Sequence, residues 1–150
     1  MDELTFRPAV RADLPAVLAL LADDVLGSAR ETEQSDAAYW AAFEAIDADP
    51  RNELIIAVRG DQVIGTCQLT YLPGLSRGGA WRMQVEAVRV RSDLRGAGIG
   101  AELMRWTIER ARERGCKLVQ LTSDHKRTDA HRFYERLGFT GSHLGMKLAL

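Results

Sequence analysis

The stretch Arg95-Gly96-Ala97-Gly98-Ile99-Gly100 decides the fold, because three glycines on alternate positions stand directly before the strongest helix pattern in the chain. Glycines leave backbone N–H groups uncovered, so an anion can approach the chain closely. The helix that follows adds unpaired amide donors and roughly half a positive charge at its N-terminus. Arg95 adds a guanidinium fork for phosphate oxygens. The sequence therefore predicts a pyrophosphate site at this turn.

Hydrophobic spacing on either side of the turn predicts one α/β domain over residues 1–150. The helix after the turn is expected over residues 98–114, with its apolar residues on one stripe and Gly115 at its C-terminal end. Further helices are predicted from Asp13 onward, at about 36–48, and from 128 or 129 to 137. Predicted strands cover residues 4–10, 54–58, 62–71, 81–90, 117–122 and 142–150. This order predicts a mixed sheet with helices on both faces.

The strand before the turn changes phase in its middle. Met83, Val85 and Ala87 alternate as apolar positions, and Val88 and Val90 then alternate on the opposite phase. A slip of one residue is what a β-bulge produces, and bulges are over-represented beside active sites. Burial of both faces of the strand explains the spacing equally well.

Composition is ordinary for a soluble globular protein, with 46% hydrophobic and 27% charged residues in 150. The longest apolar runs, such as residues 16–22, are too short to cross a bilayer. Met1-Asp2-Glu3 lacks the basic start of a secretory signal. Cys67 and Cys116 form no Cys-x-x-Cys pair, which indicates reduced thiols in a cytoplasmic protein.

Charge is distributed unevenly along the chain. Residues 1–53 hold 12 acidic and 4 basic side chains, whereas residues 89–136 hold 12 basic and 7 acidic ones. This is typical of two solvated faces of opposite sign, or of an anionic ligand on the C-terminal half and a cationic one near the N-terminal half. The near-neutral total with an acidic N-terminal half argues against a DNA-binding regulator.

The glycine turn has three other interpretations. A P-loop is excluded because the chain contains no Gly-Lys pair. A dinucleotide fingerprint matches Gly96, Gly98 and Ala101, with Asp124 as the ribose acid, but in that fold the strand runs straight into the first glycine. Too few residues follow the turn for that fold's parallel sheet. The third interpretation is a flexible glycine turn that binds no ligand.

Two motifs in this order resemble the GNAT superfamily of N-acetyltransferases, and the resemblance covers essentially the whole chain. The family pattern Arg/Gln-x-x-Gly-x-Gly/Ala is matched by Arg95, Gly98 and Gly100. A second signature follows at family spacing, Asp129-Ala130-His131-Arg132-Phe133-Tyr134-Glu135-Arg136-Leu137-Gly138-Phe139. The C-terminal half is most similar to bacterial aminoalkylphosphonate and aminoglycoside acetyltransferases. Arg127 stands where many members have Asn.

The resemblance implies a mostly antiparallel central sheet and acetyl-CoA as co-substrate. It implies that amides around Val88, Arg89 and Val90 pair with the pantetheine arm like an added strand. The pyrophosphate would be held by the residues of the turn, namely Arg95, Gly96, Ala97, Gly98, Ile99 and Gly100. It also implies that Tyr134 stands near the thioester sulfur.

Acetyl transfer to an amine needs a proton acceptor, a stabilised oxyanion and a proton donor for the leaving thiolate. Glu86 is the candidate base because it lies on the central strand just before the suspected bulge, although a salt-bridged glutamate fits the sequence too. Tyr134 is the candidate acid, since a phenol's pKa of about 10 is close to that of a thiol; core packing is its alternative role. Glu31, Glu33 and Asp124 are weaker candidates for binding the substrate amine.

The sequence therefore predicts an acetyl-CoA-dependent N-acetyltransferase that acts on a primary amine, with a small cationic molecule as acceptor and a peptide as the other option. A non-catalytic CoA-binding or regulatory module of the same fold is the alternative. His125, His131 and His143 lack metal-ligand spacing, so no metal is expected. Neither nucleic acid nor membrane is expected as a partner, and a homodimer is plausible for a domain of this size.

Overall fold

The structure, a computed structural model, describes residues 2–23 and 36–150, and the chain divides into two compact units between Gln120 and Leu121. In its described residues the N-terminal unit contains a sheet, three longer helices, a short helical turn at Ser76–Gly79 and 3-10 turns at Arg11–Asp13 and Ser92–Leu94. Its elements in chain order are β1 (Leu4–Pro8), α1 (Leu14–Ala22), α2 (Asp36–Ala48), β2 (Asn52–Arg59), β3 (Gln62–Leu72), β4 (Arg82–Val90), α3 (Ile99–Glu113) and β5 (Leu118–Leu121). The C-terminal unit, which begins with the last residue of β5, contains α4 (Thr128–Arg136).

The sheet has the order β1-β2-β3-β4-β5, and its first three pairs are antiparallel. The last pair runs in the same direction, because Lys117 N donates to Trp81 O (2.9 Å) and Gln120 Nε2 donates to Gln84 Oε1 (2.7 Å). Three antiparallel pairs and one parallel pair confirm the predicted mixed, mostly antiparallel sheet.

Helices cover both faces of the sheet, as its sequence pattern predicts. Neighbouring residues of a strand point to opposite faces, and in β2 Ile56 packs with the residues of α1 and α2. The next residue, Ala57, packs instead with Ile64 and with Ile99 at the start of α3. Burial of both faces explains why the inner strands are continuously apolar and why β2 and β3 form the centre of the core.

A partly buried ionic cluster joins the sheet to the C-terminal half of α3. Glu53 on β2 accepts hydrogen bonds from Arg110 Nε at 2.7 Å and from Tyr71 Oη at 2.6 Å, and it also pairs with Arg110 Nη2. Arg114 Nη1 lies 3.7 Å from the same carboxylate. Burial would raise the pKa of Glu53, but the hydrogen bonds from Arg110 and Tyr71 and the positive charges outweigh it and lower this pKa below its ordinary value.

The hairpin predicted at Gly60-Asp61 is confirmed, since β2 ends at Arg59 and β3 begins at Gln62. Gly60 has φ of +63°, a conformation that residues with a β-carbon rarely adopt. This turn sets the antiparallel register of the two central strands.

The strand predicted over residues 142–150 is wrong, because that segment takes no regular secondary structure. Its apolar residues do alternate, but a strand also needs a neighbour for its backbone hydrogen bonds, which the spacing of side chains does not supply. The polar loop predicted over residues 27–35 lies outside the described residues. No helix in residues 2–23 or 36–150 is long and apolar enough to cross a membrane.

Candidate functional site: a glycine turn beside a bulged strand

The glycine turn has the backbone geometry that its sequence predicts. Gly96 and Gly98 have φ of +86° and +83°, in the left-handed region that favours glycine. A β-carbon built at either position would meet no other atom within 4 Å. Glycine is therefore required here by the backbone, and the space above both residues is open to a ligand.

Helix α3 begins at this turn with unpaired amide groups. Its first intrahelical hydrogen bond runs from Glu102 N to Gly98 O at 3.1 Å, so the N–H groups of residues 99–101 have no acceptor within the helix. Gly98 occupies the N-cap and has no side chain to take up these donors. Ile99 is 1% exposed and fixes the helix start to the sheet. The result is a rigid group of donors at the positive end of a helix dipole.

A contact with the end of α1 holds the turn in place. The carboxylate of Asp23 accepts hydrogen bonds from Ser92 N at 2.8 Å and Ser92 Oγ at 3.0 Å. These bonds lower the pKa of Asp23. The backbone oxygen of Asp23 accepts from Arg95 Nη2 at 2.7 Å. Sequence reasoning missed Asp23, since 69 residues separate it from Ser92 and nothing in the local pattern marks the contact.

The predicted bulge in β4 is confirmed. Thr66 pairs with Arg89 and Gln68 pairs with Glu86, so Cys67 alone faces the two intervening residues of β4. One of these, Ala87, has φ of +54°. A non-glycine residue in this conformation is uncommon and stores strain, which often occurs beside functional sites.

The second half of β4 extends beyond its neighbour β5. Gln120 lies beside Gln84, and β5 ends one residue later, at Leu121. Residues 86–90 of β4 therefore continue past the end of β5. Along this part the carbonyl oxygen of Val88 accepts a hydrogen bond from Arg89 Nη1 at 2.9 Å. The backbone predicted to meet the pantetheine arm, Val88 to Val90, thus lies between the bulge and the glycine turn.

The two predicted proton-transfer residues lie in different units. The Glu86 side chain is exposed on β4, directly before the bulge. Tyr134 lies on α4 in the C-terminal unit, half-buried, with its ring 5.0 Å from that of Phe133 and 5.7 Å from that of Phe139. Arg127, the departure from the family pattern, is the N-cap residue of α4. The roles of Glu86 and Tyr134 stay predictions.

Three further residues were predicted to bind the substrate amine, and one of them, Asp124, lies among the described residues. Glu31 and Glu33 lie outside the described residues. Asp124 Oδ1 accepts a hydrogen bond from Lys126 N at 2.9 Å, which holds the loop before α4. In the described part of the chain, no group of His, Cys, Asp and Glu side chains is placed to hold a metal ion.

The two cysteines are free. Burial raises the pKa of Cys67 to about 12, and its Sγ lies 3.8 Å from Thr107 Oγ1. A thiol in this environment is not a nucleophile near neutral pH. Burial also raises the pKa of the half-buried Cys116.

Comparison with known proteins agrees with this geometry. Residues 16–139 match the acetyltransferase (GNAT) family. The chain is 32% identical, over its whole length and 94% of the relative, to an aminoalkylphosphonate N-acetyltransferase of Salmonella typhimurium. It is 36% identical, over 59% of the chain and 58% of the relative, to a glucosamine 6-phosphate N-acetyltransferase of Trypanosoma brucei brucei.

Solved structures resemble the whole chain. A transcriptional regulator from Bacillus halodurans C-125 matches with a TM-score of 0.94 and 47% identity, covering 99% of this chain and all of that one. A putative acetyltransferase from Agrobacterium tumefaciens matches with a TM-score of 0.88 and 28% identity, covering 97% and 99%. Because the family match spans most of the chain and includes both the glycine turn and the second motif, the chain belongs to the acetyltransferase (GNAT) family.

Proposed function

We propose that this protein transfers the acetyl group of acetyl-CoA to a primary amine of a small-molecule acceptor, by direct attack in a ternary complex. The observation that carries the proposal is the start of α3. There, two positive-φ glycines with open space above them adjoin helix amides that have no intrahelical acceptor. Membership of the GNAT family supports acetyl-CoA as the donor.

In this proposal the cofactor lies along the turn and along the part of β4 that continues past the end of β5. The pyrophosphate accepts hydrogen bonds from the amides of Gly96, Gly98, Ile99 and Gly100, since the Ala97 amide already donates to Leu94 O at 3.3 Å and Ala97 only shapes the turn. Arg95 turns toward the pyrophosphate from Asp23. The pantetheine arm extends along residues 88–90, where β4 continues past the end of β5. An amide-containing arm in this position pairs with the strand as another strand would.

The reaction forms a C–N bond and breaks the C–S bond of the thioester. Glu86, exposed beside the bulge, accepts the ammonium proton of the acceptor directly or through a water molecule. Backbone amides at the bulge stabilise the oxyanion. Tyr134 donates its phenolic proton to the departing thiolate, a role that rests on the resemblance of the second motif.

The relatives narrow the class of acceptor. Three relatives are named for the acetylation of an aminoalkylphosphonate, glucosamine 6-phosphate and streptothricin, and all three substrates are small molecules. We therefore assign a small-molecule amine to this chain. The two units function as one acetyltransferase domain, since the family match crosses the boundary between them. Two free cysteines favour a cytoplasmic location.

A second candidate is a CoA-binding regulatory module without turnover. It is favoured by the 47% identical structure, which is named a transcriptional regulator. Measurement of the free thiol of coenzyme A distinguishes an acetyltransferase from a binding module without turnover. Acetyl-CoA is mixed with a panel of aminoalkylphosphonates, amino sugar phosphates and aminoglycosides, and CoA release is measured. Turnover with any member supports the enzyme, whereas cofactor binding without turnover across the panel supports the module.

Calorimetry with coenzyme A tests the cofactor site directly. Arg95→Glu is expected to weaken binding roughly 10–100-fold, because a charge-assisted hydrogen bond of about 1.5–3 kcal/mol is lost. Gly98→Val is expected to weaken binding by a similar factor, because valine disfavours φ of +83° and fills the open space above the turn. Arg105→Glu reverses an exposed charge on the same helix. Gly115→Val places a side chain at φ of +78° at the other end of this helix, again with no atom within 4 Å. Both control variants are expected to bind as the parent does.

Two results would refute this site. One is a parent protein that gives no heat with coenzyme A. The other is equal binding by the parent, Arg95→Glu and Gly98→Val.

A further inference from the structure

Asp23 contacts the chain just before the glycine turn through both its side chain and its backbone. Its carboxylate accepts from Ser92 N at 2.8 Å and from Ser92 Oγ at 3.0 Å, and its carbonyl oxygen accepts from Arg95 Nη2 at 2.7 Å. The bonds from Ser92 lower the pKa of Asp23, so the side chain is negatively charged near neutral pH. A negative charge repels a pyrophosphate. Any benefit that Asp23 brings to cofactor binding must therefore come from the chain conformation that it holds.

Helix α1 fixes the position of Asp23. Asp23 is the C-cap residue of α1, and its N–H donates to Leu20 O at 3.2 Å. Leu20 is 4% exposed and Val17, about one turn earlier, is 2% exposed, so this end of the helix is packed into the core. The negative end of the helix dipole lies here and favours the contact with the Arg95 guanidinium. The carboxylate is thus carried by an element that the core of the N-terminal unit holds in place.

Ser92 begins a series of backbone turns that leads to the start of α3. It is the first residue of a 3-10 turn, and its carbonyl oxygen accepts from Arg95 N at 3.4 Å. Leu94 O then accepts from Ala97 N at 3.3 Å, and the next residue, Gly98, is the N-cap of α3. Because each of these hydrogen bonds spans only three residues, a displacement of Ser92 also moves the amides of the glycine turn.

We propose that Asp23 is a positioning residue for the cofactor site, because its carboxylate fixes the position of Ser92 and thereby the conformation of the glycine turn. The inference rests on the proposed function, in which amides of this turn bind the pyrophosphate of acetyl-CoA. Asp23 restricts the turn before the cofactor arrives, which reduces the conformational freedom that binding has to remove. This gain exceeds the repulsion between the carboxylate and the pyrophosphate, which salt and water screen near the surface.

Two substitutions of Asp23 separate its hydrogen bonds from its charge. Asp23→Ala removes the charge and both bonds to Ser92, and it is expected to raise the Kd of coenzyme A roughly 10-fold in calorimetry. Asp23→Asn removes the charge alone. Its amide oxygen still accepts from Ser92 N, and its amide nitrogen donates to Ser92 Oγ, because a hydroxyl both donates and accepts. This variant is expected to keep the Kd within about three-fold of the parental value.

Asp49 supplies a matched control at another turn. Its Oδ1 accepts from Arg51 N at 2.9 Å, and its side chain also pairs with that of Arg51. Asp49 precedes the start of β2, whereas the end of β2 lies level with Val90, the last residue of β4. Asp49→Ala therefore removes bonds of the same kind far from the glycine turn. It is expected to lower the free energy of unfolding about as much as Asp23→Ala does, measured by urea denaturation, and to leave the Kd of coenzyme A unchanged.

A double-mutant cycle tests whether Asp23 acts through Ser92. Ser92→Ala alone is expected to raise the Kd of coenzyme A by a smaller factor than Asp23→Ala. In the Asp23→Ala background it is expected to add little, because the acceptor of the hydroxyl is already absent.

Four results would overturn the role of Asp23 while the proposed cofactor site still stands. They are an Asp23→Ala variant that binds coenzyme A as tightly as the parent or more tightly, equal weakening by alanine and asparagine, equal weakening by Asp49→Ala, and additive effects in the cycle. A parent that gives no heat with coenzyme A refutes the cofactor site itself, and this inference with it.

Discussion

Two side chains, Tyr134 and Glu86, are assigned proton transfers at opposite ends of the proposed reaction. Tyr134→Phe removes the donor to the thiolate and is expected to lower kcat roughly 100-fold with little change in acetyl-CoA affinity. Glu86→Gln removes the acceptor of the amine's proton and is expected to lower kcat/KM for the amine by a similar factor. Steady-state kinetics and calorimetry with coenzyme A measure both effects.

Tyr71→Phe is the control for loss of a phenol. Its hydroxyl donates to Glu53 in the ionic cluster, so its removal is expected to lower the free energy of unfolding by about 1 kcal/mol and to leave kcat unchanged. A parental kcat in Tyr134→Phe would remove the assigned role of that residue. A parental kcat/KM in Glu86→Gln would do the same for the glutamate.

The carboxylate of Glu53 makes stability dependent on pH. Because its pKa in the folded protein lies below the ordinary value of about 4.3 for an unfolded glutamate, its stabilising effect is complete above that pH. The effect is lost as the pH falls through the folded-state pKa. Glu53→Gln is expected to lower the free energy of unfolding at pH 7 by about 1–3 kcal/mol and to reduce the decline of that free energy as the pH falls below the ordinary pKa of a glutamate.

Urea denaturation at several pH values measures this decline. Glu109→Gln breaks an ion pair with Arg112 whose side chains are 59% and 69% exposed. It is expected to change the free energy of unfolding by less than about 0.5 kcal/mol. If Glu53→Gln and Glu109→Gln gave the same pH curve, the cluster would not contribute as described.

The bulge in β4 holds a strained residue, and we therefore expect it to be sensitive to substitution. Ala87→Val puts a β-branched residue at φ of +54°, which is expected to lower the free energy of unfolding by roughly 1–2 kcal/mol. It is also expected to displace residues 88–90, so kcat/KM for acetyl-CoA falls by about 100-fold. Denaturation and kinetics together measure these changes.

Ala80→Val makes the same substitution at a residue with φ of −71° and ψ of 134°, which valine adopts readily. This variant is expected to keep the parental kcat/KM. Equal behaviour of the two variants would show that the strained backbone at Ala87 has no functional effect.

The local spacing of apolar residues and glycines predicted helices and strands well where the contacts that stabilise them are close in sequence. The helix predicted over residues 98–114 spans Ile99–Glu113, because its apolar stripe, its glycines and its C-terminal Gly115 are all local signals. The change of phase around Ala87 predicted a bulge, with burial of both faces as an equal alternative. The register of β3 and β4 confirms the bulge.

The spacing of residues along the sequence could not predict contacts between residues far apart in the chain. The bond between Asp23 and Ser92 and the ion pair between Glu53 and Arg110 join residues 69 and 57 positions apart. Neither has a periodic signal, because single polar side chains meet only after the elements have packed. The strand predicted at residues 142–150 is wrong for the opposite reason. The local signal, an alternation of apolar residues, is present there, but the segment forms no backbone ladder with another strand.

For the whole molecule, the two motifs that indicate the family are distributed over both units. Arg95 to Gly100 belong to the N-terminal unit and Tyr134 to the C-terminal unit. The proposal of a cofactor site at the glycine turn therefore draws its support from geometry within one unit. The proton-donor role rests on the family resemblance and on the kinetics of Tyr134→Phe.

The contact between Asp23 and the glycine turn bears on how far a short motif can be transferred. Asp23, at the end of the first helix and outside the motif itself, accepts two hydrogen bonds from Ser92 and one from Arg95. The conformation of the turn thus depends on residues outside the six that define the motif. A fragment that begins at residue 36 would keep all six residues from Arg95 to Gly100 and lose the Asp23 contacts that hold them in place. The same six letters in another protein therefore do not by themselves imply the same turn geometry.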